Sequence, residues 1–119
     1  MASGQDLIQA LSETRKQLNE CLIFYKNNGR KLAEAEMNYR IALRKEMLKL
    51  KISGASEGGG PVAWTVCDDL ARGEETVAKL RFERDIRKSD YDSCYEKILQ
   101  LKTELRILEN EIAAERQGM

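Results

Sequence analysis

The chain has no histidine and a single proline, and aromatic residues make up only 6% of its 119 positions. Histidine is the most common general base and zinc ligand, so its absence argues against Ser–His–Asp catalysis and against the usual zinc sites. The 20 basic and 20 acidic side chains cancel, which removes the long-range attraction that draws basic proteins to DNA or to anionic membranes. We therefore expect one domain that is not an enzyme and holds neither a metal nor a cofactor.

Cysteine is also scarce, with Cys21, Cys67 and Cys94 far apart in the chain and no CxxC pair. This spacing predicts buried, reduced thiols rather than a disulfide framework or a metal site. The first residues show neither the basic nor the apolar segment of a signal peptide. Apolar runs are only a few residues long, too short to cross a membrane. We expect a soluble, cytoplasmic protein.

The first half of the chain has the heptad pattern of a long amphipathic helix. Its seam positions are Leu7, Leu11, Thr14, Leu18, Cys21, Tyr25, Asn28, Leu32, Ala35, Tyr39 and Ala42. The pattern predicts a helix over about residues 5–52, capped by Ser3 or Asp6 and ended by the pair at residues 53–54. Residues 27–29 (Asn-Asn-Gly) are its weakest stretch, where we expect a bend or fraying.

A second heptad pattern predicts a helix over about residues 74–116. Its seam positions are Val77, Leu80, Arg84, Arg87, Tyr91, Cys94, Ile98, Leu101, Leu105, Leu108 and Ile112. Glu74 and Glu75 stand at its start, where carboxylates suit the positive end of the helix dipole.

Residues 53–73, which we call the elbow, join the two helices. Residues 54–60 are glycine-rich and typical of a flexible linker. Val62, Val66 and Leu70 recur every four residues, which favours a short helix opened by Pro61, although the β-branched residues leave an extended segment open.

The fold class that follows is all-α: a long antiparallel helical hairpin, similar to a coiled coil, with a short elbow segment. Folding the two seams together predicts five pairs: Leu50 with Val77, Met47 with Leu80, Leu43 with Arg84, Leu32 with Cys94 or Tyr95, and Leu18 with Leu108. Met37 and Met47 are expected to fill the core.

Each helix has a second set of apolar residues that one hairpin would leave exposed. The set consists of Ile8, Ile23, Ile41, Leu48, Ile52, Phe82, Ile86, Leu99 and Ile107. Two helices alone bury little apolar surface for a chain of this size. We therefore expect a homo-oligomer, most simply a dimeric four-helix bundle.

Basic residues concentrate at the elbow end of the predicted hairpin, since residues 26–51 contain eight basic and three acidic side chains. Six residues form the candidate ligand- or partner-binding site: Arg44, Trp64, Asp69, Arg72, Arg81 and Arg84. These cations either bind an anion or form an ordinary solvated surface. Arg84 lies on the seam, where a charged side chain destabilises the fold unless it forms an ion pair or binds a ligand. Glu46 and Glu83 are available partners.

Trp64 and the acidic pair at residues 68–69 have alternative interpretations. Trp64 either fills the core at the hairpin tip, or stacks on a base or anchors a partner. The pair Asp68–Asp69 has the ligand chemistry for Mg²⁺, although such a pair more often caps a helix. Residues 58–60 lack the Lys-Ser/Thr of a phosphate-binding loop.

Four segments resemble a family of small helical proteins encoded by temperate phages and prophages of Gram-positive bacteria. The segments are residues 39–46, 69–73, 77–85 and 105–112. The resemblance implies a small accessory protein in the cytoplasm of a bacterial host, commonly one that binds rather than catalyses. Residues 54–60 are longer and richer in glycine than the family pattern.

Two classes of function follow. The first is an accessory protein that counters a host defence by binding either an anionic nucleotide signal or a host defence protein. The alternative is a coiled-coil structural or DNA-associated adaptor in phage replication, recombination or assembly, for which the basic run at residues 26–51 argues.

Overall fold

The structure, a computed structural model, describes residues 3–54 and 60–118. These residues form three helices, α1 (Gly4–Ser53), α2 (Trp64–Arg72) and α3 (Glu75–Gln117), with no strand among them. The all-α class and the bounds of both long helices are confirmed to within one residue. The short helix in the elbow is also confirmed. The linker predicted at residues 54–60 falls largely on residues 55–59, which lie outside the described residues.

Local hydrogen bonds explain where α1 begins and ends. The backbone N–H of Asp6 donates to the Ser3 hydroxyl at 3.1 Å, and the Ser3 N–H donates to the Asp6 carboxylate at 3.3 Å, so the two residues cap the helix reciprocally. At the other end the Gly54 N–H donates to the Leu50 carbonyl at 2.8 Å. A Cβ on residue 54 would lie 2.5 Å from that carbonyl and 3.0 Å from Val62, so glycine is required there.

The expected fraying at residues 27–29 does not occur, because α1 is helical without interruption from Gly4 to Ser53. Asn28 is buried, with 4% of its surface exposed. Packing on the seam compensates for the low helix propensity of asparagine and glycine. Among residues 3–54 and 60–118, the Asn28 side-chain amide nitrogen has no hydrogen-bond partner.

The chain divides into two compact units at this point. Unit 1 pairs the described residues 3–28 of α1 with residues 90–118. Its segments run antiparallel, since Cys94 contacts Cys21 and Arg15 reaches Glu109 further along α3. The buried side chains of unit 1 all lie at predicted seam positions: Leu7, Thr14, Asn28, Cys94, Ile98 and Leu101.

Tyrosines and cysteines fill the middle of unit 1. The rings of Tyr25 and Tyr91 stack with centroids 4.4 Å apart, and Tyr95 lies 6.1 Å from Tyr25. A hydrogen bond with the Tyr91 side chain, together with burial, raises the pKa of Tyr25 to about 12. The Cys94 thiol donates to the Cys21 carbonyl at 3.5 Å, and burial raises its pKa. As predicted, the cysteines are free thiols, and Cys94 is buried.

Unit 2 consists of the described parts of residues 29–89 and contains α2 in addition to segments of α1 and α3. Its buried apolar side chains come from all three helices and from the residues before α2: Ala35, Tyr39, Val62, Cys67, Ala71 and Val77. Glu74 caps α3 by accepting the Val77 N–H at 2.9 Å. This backbone hydrogen bond lowers the pKa of the Glu74 carboxyl group.

The predicted pairing of the two seams is wrong by about one helical turn at Arg84, which contacts Tyr39, and by about three turns at Cys94. Cys94 contacts Cys21 rather than Leu32, and Leu80 lines a cavity with Ala35 rather than packing on Met47. The physical reason lies in the elbow. Val62 and the start of α2 cover the last turns of α1, where the prediction had placed the start of α3.

All nine residues of the second apolar set are exposed in the single chain. Met37, predicted to fill the core, is exposed as well, because it lies on the side of α1 away from the seam. No helix in the described part of the chain is both long enough and apolar enough to cross a bilayer.

Candidate functional site

The start of α2 presents an aromatic side chain to solvent. Val62 is buried and Ala63 is the N-cap in an extended conformation, so the helix begins at Trp64 rather than at Pro61. Trp64 is 43% exposed. The prediction that it fills the core is therefore wrong, since Val62, Cys67 and Ala71 occupy that position instead.

Two cations of α1 lie over the Trp64 ring. The guanidinium carbon of Arg44 is 5.4 Å from the ring centroid, and the ammonium nitrogen of Lys51 is 5.3 Å from it. Lys51 also donates a hydrogen bond to the Val62 carbonyl, which holds its charge beside the ring. These distances suit cation–π attraction. We call Arg44, Lys51 and Trp64 the tryptophan cluster.

A second group surrounds the seam arginine. The guanidinium carbon of Arg84 lies 4.6 Å from the centroid of the buried Tyr39 ring. Its nitrogens contact the Asp85 carboxylate at 2.9 Å and the Glu36 carboxylate at 3.5 Å. We call Tyr39, Arg84, Glu36 and Asp85 the arginine cluster.

The arginine cluster is electrostatically satisfied around Arg84. Burial disfavours the Arg84 charge, but the carboxylates of Asp85 and Glu36 outweigh it and raise the pKa of Arg84. A hydrogen bond from Arg40 (2.7 Å) lowers the pKa of Glu36, and the charge of Arg84 lowers it further. The buried hydroxyl of Tyr39 has no hydrogen-bond partner in the part of the chain that the structure describes.

Arg84 does not use the partners expected from the sequence. Glu83 accepts from Arg87 at 2.9 Å, one turn along α3. Arg84 instead reaches Glu36, because the seams pair with a different register from the predicted one.

The acidic pair of α2 does not cap a helix. Asp68 and Asp69 lie in the middle of α2, and Asp68 accepts from Arg72 one turn later at 3.1 Å. This hydrogen bond raises the pKa of Arg72. Among the described residues, no group of three or more cysteine, aspartate or glutamate side chains could hold a metal ion.

The structure brings the six predicted site residues together only in part. Arg44 and Trp64 share the tryptophan cluster, and Arg72 lies close enough to Arg84 for the two positive charges to interact. Asp69 and Arg81 are exposed. Within residues 3–54 and 60–118, neither of them forms an ion pair with a member of either cluster.

Four residues of the clusters were not among the predicted site residues: Lys51, Tyr39, Glu36 and Asp85. Lys51 follows Arg44 by seven residues, so the helical period could have indicated that both cations share one side of α1.

The cavity of unit 2 lies apart from both clusters. Its volume is about 170 Å³, and it is polar at its rim and formed by facing turns of α1 and α3. Its lining includes Lys31, Glu34, Asn38, Leu80, Glu83 and Arg87. None of the six predicted site residues lines this cavity. The candidate binding surface therefore lies outside it.

No known protein family, curated protein or solved structure matches this chain.

Proposed function

We propose that this chain is a non-enzymatic, phage-encoded accessory protein that binds an acidic surface of a host protein, such as a component of an anti-phage defence, in the bacterial cytoplasm. The tryptophan cluster is the docking site. Tryptophan is among the residues most enriched at interface hot spots. The observation that carries the proposal is the exposed Trp64 side chain held beside the charges of Arg44 and Lys51.

The same geometry favours a protein over a nucleotide signal. Both cations lie over the Trp64 ring, so a base that stacks on the side they occupy has to displace them. Arg72 and Arg84, two of the cations that the sequence offers for phosphate binding, are engaged by Asp68 and by Asp85 and Glu36. An acidic protein surface needs no such displacement, because its carboxylates approach the cations while an apolar group packs on the exposed part of the indole.

Affinity capture from a lysate of a bacterial host, followed by titration with the purified captured protein, tests this proposal. Trp64 is the only tryptophan of the chain, so its fluorescence reports directly on the site, and we expect a saturable change of emission on titration. Trp64→Ala has no tryptophan, so calorimetry measures its affinity, which should be roughly 30-fold or more weaker, as for a hot-spot residue. Arg81→Ala, which removes an exposed cation outside both clusters, is the matched control and should leave affinity unchanged.

Two outcomes would contradict the proposal. The first is equal binding of the captured protein by Trp64→Ala and the unmodified chain. The second is that no host protein binds and the chain instead binds another ligand. That ligand would be either a cyclic nucleotide, which raises the melting temperature of the chain, or a DNA duplex, whose binding depends on salt. The nucleotide result would favour a signal-binding protein, and the DNA result would favour the adaptor.

A further inference from the structure

The exposed apolar residues of α1 in unit 2 form a continuous stripe. At about 100° per residue, Met37, Ile41, Leu48 and Ile52 fall within about 60° of one another, and all four are exposed. The buried and half-buried seam residues lie on the other side of the helix.

Cations flank this stripe on both sides. Along residues 37–52, Arg40, Arg44 and Lys51 lie on one flank, and Lys45 and Lys49 on the other. The acidic residue of this stretch, Glu46, is half-buried and lies on the side of α1 away from the stripe. We call the stripe and its flanking cations the basic face.

The outward side of α3 in unit 1 has the opposite charge. Asp92, Glu96, Leu99 and Ile107 are exposed and lie opposite the seam residues of α3. Glu111 stands at one edge of the same side and Arg106 at the other, while no lysine or arginine of residues 92–111 falls near its centre. We call Asp92, Glu96, Leu99, Ile107 and Glu111 the acidic face.

Unit totals agree with this local pattern. The sequence of unit 1 contains 7 basic and 10 acidic residues, and that of unit 2 contains 13 basic and 10 acidic residues. One unit therefore carries −3 and the other +3. Complementary charges around exposed apolar groups favour docking of one surface on the other and disfavour contacts between like faces.

We infer that the basic face of one copy binds the acidic face of a second copy of this chain. The contact joins two different surfaces, so it is heterologous, and repetition produces a ring where the rotation closes and an open array where it does not. This differs from the closed dimeric bundle expected from the sequence. The basic face shares Arg44 and Lys51 with the tryptophan cluster, but Lys45 and Lys49 can be altered without changing that cluster, so this inference is tested separately from the proposed host partner.

Charge reversal with mixing provides the test. One variant carries Lys45→Glu and Lys49→Glu, which lower the charge of the basic face from +5 to +1, and the other carries Glu96→Lys and Glu111→Lys, which change the charge of the acidic face from −3 to +1. Each variant alone then loses most or all of the attraction between the two faces, and we expect its self-association to weaken roughly tenfold or more. In an equal mixture, the unaltered acidic face of the first variant can bind the unaltered basic face of the second, so association should return.

Light scattering and sedimentation give the readout, and circular dichroism confirms that each variant is helical. The unmodified chain should show a mass above the 13.6 kDa of one chain, and added salt should lower it. Two control variants change the net charge by the same amounts on α1 of unit 1, outside both faces. They carry Lys16→Glu with Lys26→Glu, and Glu13→Lys with Glu20→Lys, and should leave association unchanged.

An unmodified chain that stays monomeric at all concentrations overturns the inference. So does a mixture of the two folded variants that fails to recover the association which each has lost. Persistence of association in either variant alone also overturns it, since a contact that does not depend on these charges uses other surfaces.

Discussion

The two units are built from the same pair of long helices, yet their interiors differ in chemistry. Unit 1 fills its seam with leucine, isoleucine, cysteine and stacked tyrosines. Unit 2 places Arg84 and Arg87 on the seam, supplies them with carboxylates, and adds α2 as a third element. The first arrangement is what a heptad repeat alone achieves. The arrangement in unit 2 keeps charged groups half-buried, and such groups destabilise the fold unless each is paired with an opposite charge.

This difference suggests that unit 1 contributes mainly to stability and the surface of unit 2 mainly to binding. The buried side chains of unit 1 are apolar apart from Thr14 and Asn28. In unit 2 the tryptophan cluster and the basic face point to solvent. In the arginine cluster, by contrast, the charge of Arg84 is paired with carboxylates of the same cluster. Substitutions in unit 1 should therefore affect folding most, and substitutions on the surface of unit 2 should affect binding.

The largest effect that would sharpen this comparison is expected in the unit 1 core. Leu101 has no exposed surface, so Leu101→Ala should lower the free energy of unfolding by roughly 2–5 kcal/mol. Thermal and urea unfolding measure it. Leu99→Ala, two residues away and exposed, is the control and should change stability by less than about 1 kcal/mol. Equal losses would mean that Leu99 is buried in an assembly.

The arginine cluster should give the next largest effect. Arg84→Ala removes the cation above Tyr39 and leaves Glu36 with fewer cations, at an expected cost of about 1–2 kcal/mol. Arg84→Met retains most of the packing of the side-chain stem and should cost less. Urea unfolding of both variants separates charge from packing. If methionine proved as costly as alanine, the charge would dominate. If both were neutral, the contrast between the two seams would have no energetic basis.

A substitution at Asn28 should have the opposite sign. Its side-chain nitrogen is buried without a partner, so Asn28→Leu should raise the free energy of unfolding by about 1 kcal/mol. A buried asparagine also specifies the register of a coiled coil, so the variant should associate less uniquely. Chemical denaturation and light scattering measure the two effects. A loss of stability would show that the amide makes a favourable interaction in solution.

The smallest effect is a pH dependence confined to unit 2. The pKa of Glu36 is lower in the folded chain than its ordinary value, chiefly because Arg40 donates to it. The ionised carboxylate thus stabilises the fold at neutral pH, and this contribution is lost as the pH falls through the folded-state pKa. Glu36→Gln should therefore flatten the loss of melting temperature under acid. An unchanged acid profile would contradict a role for this carboxylate.

The sequence predicts the helices well and their pairing poorly, for a physical reason. Seam positions follow from the heptad period and local caps, so Leu101 and Ile98 could be placed in the core in advance. A repeat of seven offers several registers of similar apolar match, so nothing local distinguished Leu32 from Cys21 as the neighbour of Cys94. The way in which Val62 and α2 pack against the end of α1 also limits where α3 can begin, and no local pattern predicts that packing.

The candidate site was predicted in part for the same reason. Arg44 and Trp64 were recognised as chemistry-bearing residues, but their contact depends on how α2 packs beside α1. Arg72 and Arg84 were recognised too, and only the three-dimensional arrangement shows that carboxylates already engage them.

The short helix α2 has a consequence for how sequences of this type can diverge. Helix α1 has 50 residues and α3 has 43, and the start of α2 and Val62 cover the end of α1. Insertions or deletions before α2 would then be absorbed beside α1 without moving the seam of unit 2. Related chains should vary most in length between residues 54 and 61, while the spacing of Tyr39, Val77 and Arg84 within their helices stays fixed.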